Sequence, residues 1–243
     1  MFDGRVVIVT GAARGLGRDY ARFFAADGAS VVLADVNRLD GAVRDASAGS
    51  GTCVGIRADV SDRASVAALM DRTMEEFGRL DVLVNNAGLW RGLFDSGLLD
   101  CPDDLWDAAW AVNVTGTLRC SQAAVPLMRA NGFGRIVNIS SLASRSGTTP
   151  YGLTKNAIER LTEGIAREVG DYGITVNCIA PGITMFEAGM DTLPDADALV
   201  AAYAVKRVGT SRDVYDAIAY LCSPNAEWIT GQTLRVDGGA STR

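Results

Sequence analysis

The chain contains no histidine. Without it, neither a zinc site nor a Ser-His-Asp hydrolase is expected, because imidazole is a common zinc ligand and the base of that triad. Five cysteines, Cys53, Cys101, Cys120, Cys178 and Cys222, lie far apart and form no Cys-x-x-Cys pair. They read as reduced packing residues in apolar segments rather than as disulfide partners or metal ligands. No apolar run reaches the length of a membrane span, and the first strand-like run begins at Arg5, leaving no space for a signal peptide. A soluble, cytoplasmic protein is therefore expected, with no membrane partner. Basic residues are scattered and the net charge is −6, so no nucleic-acid footprint and no polybasic membrane patch is visible. Low-complexity tracts, internal repeats and linkers are missing too. The 243 residues, 48% of them hydrophobic, suffice for one large core and leave no room for a second independent domain.

Short β-branched runs alternate with longer helical patterns. The spacing predicts strands near residues 5–10, 30–35, 53–58, 80–85, 134–140, 173–179 and 232–236, with helices near 15–27, 63–77, 104–130, 152–169 and 212–222. This is the pattern of an α/β, doubly wound parallel sheet of seven strands, flanked by helices on both faces. Ligands on such sheets bind beyond the carboxyl ends of the strands, where several chemistry-bearing residues are predicted to converge. Residues 183–208 lack a clean strand pattern and are read as a movable cover.

Arg5-Val-Val-Ile-Val-Thr10 reads as a buried strand running into Gly11-Ala-Ala-Arg-Gly15-Leu-Gly17 and then a helix. Glycines permit positive φ and close approach of a pyrophosphate, and the free N–H groups of the following helix attract its charge. A tight turn is the bland alternative. The next strand, Ser30-Val-Val-Leu-Ala-Asp35, ends in an acid at about the distance where a dinucleotide site holds the adenosine ribose diol. Together these features imply dinucleotide binding, with a small molecule as the other partner.

Tyr151 and Lys155 stand four residues apart in a predicted helix, which puts a phenol and an ammonium on one face. Lowering a tyrosine from its ordinary pKa of about 10 to about 7 needs roughly 4 kcal/mol. One unit charge at about 4 Å supplies that order of energy near a protein surface, and a cationic cofactor would add to it. The pair is thus a candidate acid/base; a chance pairing on a solvated face is the alternative.

With Thr10-Gly-x-x-x-Gly-x-Gly17, Asn85-Asn-Ala-Gly88, Asn113, Ser140-Ser141, Tyr151-x-x-x-Lys155 and Pro181-Gly182 in order, the chain resembles the short-chain dehydrogenase/reductase family over nearly its whole length. The resemblance implies a single Rossmann-type domain, residues 1–243, with a cofactor half to about residue 112 and a catalytic half from 113. It implies reversible hydride transfer between a nicotinamide cofactor and an alcohol or carbonyl. Tyr151 would be the acid/base, Lys155 would lower its pKa and hold the nicotinamide ribose, and Ser141 would hydrogen-bond the substrate oxygen. Asn113 would hold a water linking Lys155 to solvent, unless it simply satisfies buried backbone groups. The implied cofactor contacts are Gly11, Arg14, Gly15, Leu16, Gly17, Asp35, Asp59, Val60, Asn86, Ala87, Gly88, Tyr151, Lys155, Pro181, Gly182, Ile183 and Thr184. Asn85 would brace the central strands. Asp59 and Val60 would border the adenine, a mere helix cap at Asp59 being the lesser reading. Family resemblance also implies a homotetramer, paired through the helix after Tyr151 and the C-terminal strand.

Asp35 points to NAD. Its carboxylate can accept hydrogen bonds from both ribose hydroxyls and would repel a 2′-phosphate, although Arg14 and Arg38 lie near enough in sequence to soften that preference toward NADP. Two features depart from the family pattern. Only nine residues separate Ser141 from Tyr151, a few fewer than usual, which leaves Ser140 and Ser141 both open as the active serine, with Ser141 preferred. Phe186 stands where the family often has threonine, so Thr184 is a candidate for the missing contact. Trp90, Phe94, Leu142, Met185, Phe186 and Met190 suggest an apolar substrate pocket, whereas Trp106 and Trp110, spaced on one helix face, read as core or subunit contacts. The leading reading is an NAD-dependent dehydrogenase of a small, apolar secondary alcohol or its ketone. Alternatives are a 3-oxoacyl-thioester (acyl-carrier-protein) reductase using NADPH, which would want a basic docking surface, and a non-catalytic NAD-sensing protein.

Overall fold

Val7 and Val9 of the first strand point to one side of the sheet and Ile8 to the other, and each side meets its own layer of helices. The computed structural model describes residues 1–94, 96–185, 200–201 and 203–242. Its strands are β1 (Val6–Thr10), β2 (Ser30–Asp35), β3 (Cys53–Arg57), β4 (Val82–Asn85), β5 (Gly134–Ile139), β6 (Ile174–Pro181), β7 (Thr184–Met185), β8 (Gly209–Thr210) and β9 (Thr233–Val236). Seven of them form one sheet in the order β3-β2-β1-β4-β5-β6-β9. Every pairing in it is parallel. The α/β doubly wound fold expected from the alternation of strands and helices is therefore present, with its switch point between β1 and β4.

On one face lie α1 (Gly15–Ala26), α2 (Asp40–Ala46) and α7 (Ser211–Cys222); on the other lie α3 (Arg63–Phe77), α5 (Thr117–Asn131) and α6 (Pro150–Val169). Apolar spacing explains the docking. Helix α1 buries Tyr20, Ala21, Phe24 and Ala25, one helical stripe, and Phe24 packs edge-on against Phe2 and Tyr215. Side chains also mark the helix starts: Asp62 caps α3, Thr149 caps α6 ahead of Pro150, and Thr210 and Asp213 form a capping box on α7.

Three differences from the sequence pattern have local causes. The helix expected over 104–130 is α4 (Asp103–Ala109), a π-helical stretch (Trp110–Gly116) and α5 in succession. The π stretch is seated by Asn113, whose amide is fully engaged, and by Gly116, where a Cβ would come within 2.7 Å of Val60 Cγ2. Helix α2 (Asp40–Ala46), not among the expected helices, carries no readable apolar stripe, since it buries only Ala42 and Ala46. The β7–β8 pairing, two residues in each strand, is too short to carry a period.

At the edge opposite the carboxyl ends, one carboxylate clips β1 to β4. Asp81 accepts from Arg5 Nη1 at 2.8 Å, Val6 N at 2.9 Å, and Arg79 Nε and Nη2 at 2.8 and 2.7 Å. Burial alone would raise this carboxyl, but the hydrogen bonds from Arg79, Val6 and Arg5 outweigh it and hold the group below the ordinary carboxylate value. Its stabilising effect is thus present above the unfolded value of about 3.9 and is lost as pH falls through the lower folded value. Asp81→Ala should lower the unfolding free energy by about 2 kcal/mol at pH 7, since charge-assisted bonds are lost while both arginines can reach water. In urea titrations the gap between wild type and variant should shrink below about pH 4; a pH-independent gap would show that the carboxylate charge contributes nothing.

Candidate active site

Beyond the carboxyl ends of β1, β2, β4, β5 and β6 runs a cleft of about 520 Å³. It reaches from Asp35 and Asp59 at one end to Tyr151 and Lys155 at the other, with Pro181 and Gly182 closing a side. Two loops build its floor, and they are interlocked. Gly11 has φ +67°, and a Cβ there would lie 2.8 Å from Ala87 Cα. Asn86 Nδ2 donates to Thr10 O at 2.9 Å and Gly11 O at 3.2 Å, filling the space that any side chain on Gly17 would need. The first helix then begins at Gly15, after Arg14 and with no side-chain cap, unlike α3, α6 and α7, and its first turn, Gly15 to Gly17, lines the cleft. A glycine cradle against uncapped helical N–H groups fits a pyrophosphate.

Asp35 sits at the end of β2 as a buried carboxylate aimed by three donors: Ala13 N to Oδ2 at 3.0 Å, and Asn37 N and Nδ2 to Oδ1 at 2.9 and 2.8 Å. Among the basic residues nearby, Arg38 pairs with Asp40 at 3.2 Å, Arg18 pairs with Asp45, and Arg57 Nε is held on Val36 O at 3.1 Å. Arg14 lines the cleft and is exposed. Asp59 Oδ1 accepts from Ser61 N and Oγ at 2.8 and 2.6 Å, while the cap of α3 is Asp62. Asp59 and Val60 therefore border the cleft rather than serve as the helix cap.

At the inner end, Thr149 and Pro150 start α6 so that Tyr151 and Lys155 fall one turn apart. The Ser141 hydroxyl stands on the same side as the Tyr151 phenol in the cleft and favours its ionised form. Lys155 is buried, donates from Nζ to Ile139 O at 2.7 Å, and lies 5.5 Å from the centre of the Tyr151 ring. This differs from the expectation of an ammonium that by itself brings the phenol near neutrality. Burial pushes Tyr151 up to about 12, against the lowering effect of Ser141, and burial pushes Lys155 down to about 8. The physical reason is that desolvation penalises both charged forms, and the lysine's hydrogen bond goes to a backbone carbonyl instead of the phenolic oxygen.

The two candidate serines face different ways. Ser140 is buried, with Oγ donating to Glu159 Oε1 at 2.9 Å and Lys155 O at 3.1 Å. Ser141 accepts from Ala143 N at 3.2 Å and meets Tyr151. Asn113 lies behind Gly88, out of the cleft: its Oδ1 accepts from Leu89 N at 2.7 Å and its Nδ2 donates to Leu89 O and Thr154 Oγ1, each at 3.0 Å. Asn85 is a strand brace, donating to Asn138 Oδ1 at 2.9 Å and Ser121 Oγ at 3.2 Å.

Gly11, Arg14, Gly15, Leu16, Gly17, Asp35, Asp59, Val60, Asn86, Ala87, Gly88, Trp90, Ser141, Tyr151, Lys155, Pro181 and Gly182 all line the cleft. Ile183 and Thr184 line a smaller cavity beside it, together with Tyr203 and Asp237. Leu142 opens a 3-10 turn (Leu142–Arg145) and Met185 lies in β7; neither lines the cleft. Phe186 and Met190 lie outside the described residues. Phe94 packs on the Tyr151 ring with centroids 4.5 Å apart. Trp106 and Trp110 are part-buried against each other at 5.8 Å, as their helical spacing suggests. Among the cleft residues that the sequence motifs do not include are Asn37, Val112 and Ile139. Asn37 had a signal, an amide two residues after the strand-end acid; the two apolar ones had none.

The family model described as Enoyl-(Acyl carrier protein) reductase matches residues 11–241. An uncharacterised oxidoreductase of Mycobacterium tuberculosis is 42% identical over 100% of both chains. The 3-oxoacyl-[acyl-carrier-protein] reductase of Escherichia coli is 34% identical over 98% of each. Among solved structures, a double mutant of a Serratia marcescens short-chain dehydrogenase/reductase superposes with a TM-score of 0.90 at 34% identity, covering 99% of each chain. Agreement of this extent means that the chain belongs to the short-chain dehydrogenase/reductase family of oxidoreductases, which bind nicotinamide cofactors.

Proposed function

We propose that the chain catalyses reversible hydride transfer between NAD and a small, largely apolar secondary alcohol or its ketone, with Tyr151 as acid/base. The observation that carries this reading is the inner end of the cleft, where Tyr151 meets Ser141 one helical turn from Lys155, while Asp35 stands at the far end of the same cleft. When bound, the dinucleotide supplies the hydride donor or acceptor. Gly11, Arg14, Gly15, Leu16 and Gly17 receive its pyrophosphate, and Asp35 its adenosine ribose; Asp59 and Val60 border the base. Asn86, Ala87, Gly88, Lys155, Pro181, Gly182, Ile183 and Thr184 serve the nicotinamide half. One unit thus joins a cofactor half, to about residue 112, with a catalytic half from 113.

The phenol gives a proton to a carbonyl oxygen in reduction and takes one from a hydroxyl in oxidation. A phenol held near 12 is protonated at neutral pH, so the chain's own residues favour the acid role; oxidation needs positive charge close by. Lys155 supplies one such charge, which weakens as pH rises past about 8. Ser141 donates to the substrate oxygen as charge develops there, and Asn113 holds the Leu89 peptide and α6 in place around Lys155. Trp90 and Phe94, each 47% exposed beside the phenol end, supply apolar walls. The E. coli relative's name favours a second reading, a 3-oxoacyl-thioester reductase using NADPH. The acidic balance of the chain and the aimed Asp35 carboxylate speak against it. Five free cysteines suit a reducing, cytoplasmic setting.

Turnover of secondary alcohols and ketones, followed by nicotinamide absorbance with both cofactors, should give a kcat/KM with NAD higher by on the order of 100-fold, the scale of a few kcal/mol of like-charge repulsion at Asp35. Equal efficiency with NADP would overturn the assignment of Asp35 and favour the thioester reading. Tyr151→Phe should lower kcat by about 100- to 10,000-fold while NAD binding, read by calorimetry, stays nearly unchanged; full activity in that variant would remove the mechanism. A homotetramer is part of the same proposal, supported by Trp228 at 96% exposure and Leu234 at 43% on β9, the end strand of the sheet. Sedimentation velocity should return about four chain masses, and a stable monomer would contradict it.

A further inference from the structure

The mechanism uses Tyr151 and Lys155 but leaves unexplained the next residue on the same helical face. Glu159 is a turn beyond Lys155 and only 4% exposed. Among the described residues it pairs with no cation. Its Oε1 instead accepts from Ser140 Oγ at 2.9 Å and from Ser144 Oγ at 2.5 Å, both serines themselves buried. A carboxylate so enclosed is costly to keep unless its hydrogen bonds compensate, and here they converge on the two sides of Ser141. The serine segment is pressed to α6 elsewhere too. Asn156 Nδ2 donates to Ser144 O at 3.4 Å, and a Cβ on Gly152 would fall 2.6 Å from Ala143 O. Ser144 N also bonds Ser141 O at 3.0 Å, closing the turn that carries the active hydroxyl.

We propose that Glu159 is a positioning residue: by holding Ser140 and Ser144 on α6, it fixes the Ser141 hydroxyl against the phenol of Tyr151. The proposal rests on the hydride-transfer reading above. Nine residues between Ser141 and Tyr151 leave a short connection, and one carboxylate oxygen on the partner helix sets where that connection can go. Cys178 on β6 is the titratable group that feels its charge, and Lys155 stands one turn back on α6. Loss of the clasp should let the Ser141 hydroxyl move away from the phenol. Because the nearby Ser141 hydroxyl favours the ionised phenol, its displacement moves the ionisation, and with it the rising limb of alcohol oxidation, to higher pH.

The test compares Glu159→Ala, Glu159→Gln, Ser144→Ala and Ser141→Ala in the full chain. Glu159→Ala should lower kcat by about 10- to 100-fold, the scale of a misplaced catalytic contact, with NAD affinity within about twofold of wild type. Its oxidation limb should move in the same direction as that of Ser141→Ala. Glu159→Gln keeps an oxygen acceptor and should restore most of kcat and the original limb. Ser144→Ala, which removes one hydroxyl only, should fall between and serves where Glu159→Ala does not fold. Amide exchange over residues 140–146 should rise in Glu159→Ala and stay near wild type in Glu159→Gln, a readout that needs no turnover. Wild-type kcat and pH limb in folded Glu159→Ala, unchanged amide exchange, or a glutamine variant as impaired as the alanine one, would each overturn the proposal. Failure of the underlying reading is distinguishable, since it appears as absent turnover in the wild type or as an active Tyr151→Phe.

Discussion

The hydroxyl of Thr10 lies where β1 and β4 part, donating to Val84 O at 3.3 Å and accepting from the N–H groups of Asn86 and Ala87, each at 3.0 Å. One small side chain thereby ties the glycine turn after β1 to the Asn-Ala-Gly turn after β4. Parallel strands whose connections run off in opposite directions leave an opening at this point, and the tie decides its floor. Asn86 can then reach back to Thr10 O and Gly11 O only if Gly17 has no side chain. The glycine at 17 is required by a neighbouring amide as much as by any ligand.

At the other end of the cleft the governing effect is desolvation. Tyr151 and Lys155 share a helix face, yet both are driven toward their neutral forms by the enclosure that makes them useful. An exposed pair at the same spacing would hold ordinary protonation states and exert little mutual influence. Enclosure lowers the dielectric response around the phenol, so a single additional positive charge acts on it strongly. Ser141 already pulls in that direction.

The parallel sheet of seven strands and most helices were legible because buried parallel strands carry continuous β-branched runs and the covering helices carry a clear apolar stripe. The cradle at Gly11 to Gly17, the carboxylate at Asp35 and the Tyr151 and Lys155 pair were legible for a different reason: each is a residue type that its local geometry or chemistry demands. What escaped was tertiary. Nothing in the spacing tells that Lys155 hydrogen-bonds Ile139 O, that Ser140 turns inward while Ser141 turns to the cleft, or that Asn113 is occupied by the Leu89 peptide. Those directions depend on which backbone groups neighbouring strands leave unpaired. Helix α2 and the β7–β8 pairing were missed because elements so short have no period to read.

Trp110–Gly116 is wound with one residue more per hydrogen-bonded loop than the helices on either side. The surplus residue acts as a phase setter: it turns everything that follows by about 100° relative to an uninterrupted α-helix. Two faces that a uniform helix would keep aligned are thereby separated, so that α4 can pack on α6 while α5 lies on the sheet. Asn113 stands inside this phase change and faces the Leu89 peptide on one side and α6 on the other. Any one-residue gain or loss in this stretch would turn α5 by about 100° against α4 and set one of them out of step with its packing surface.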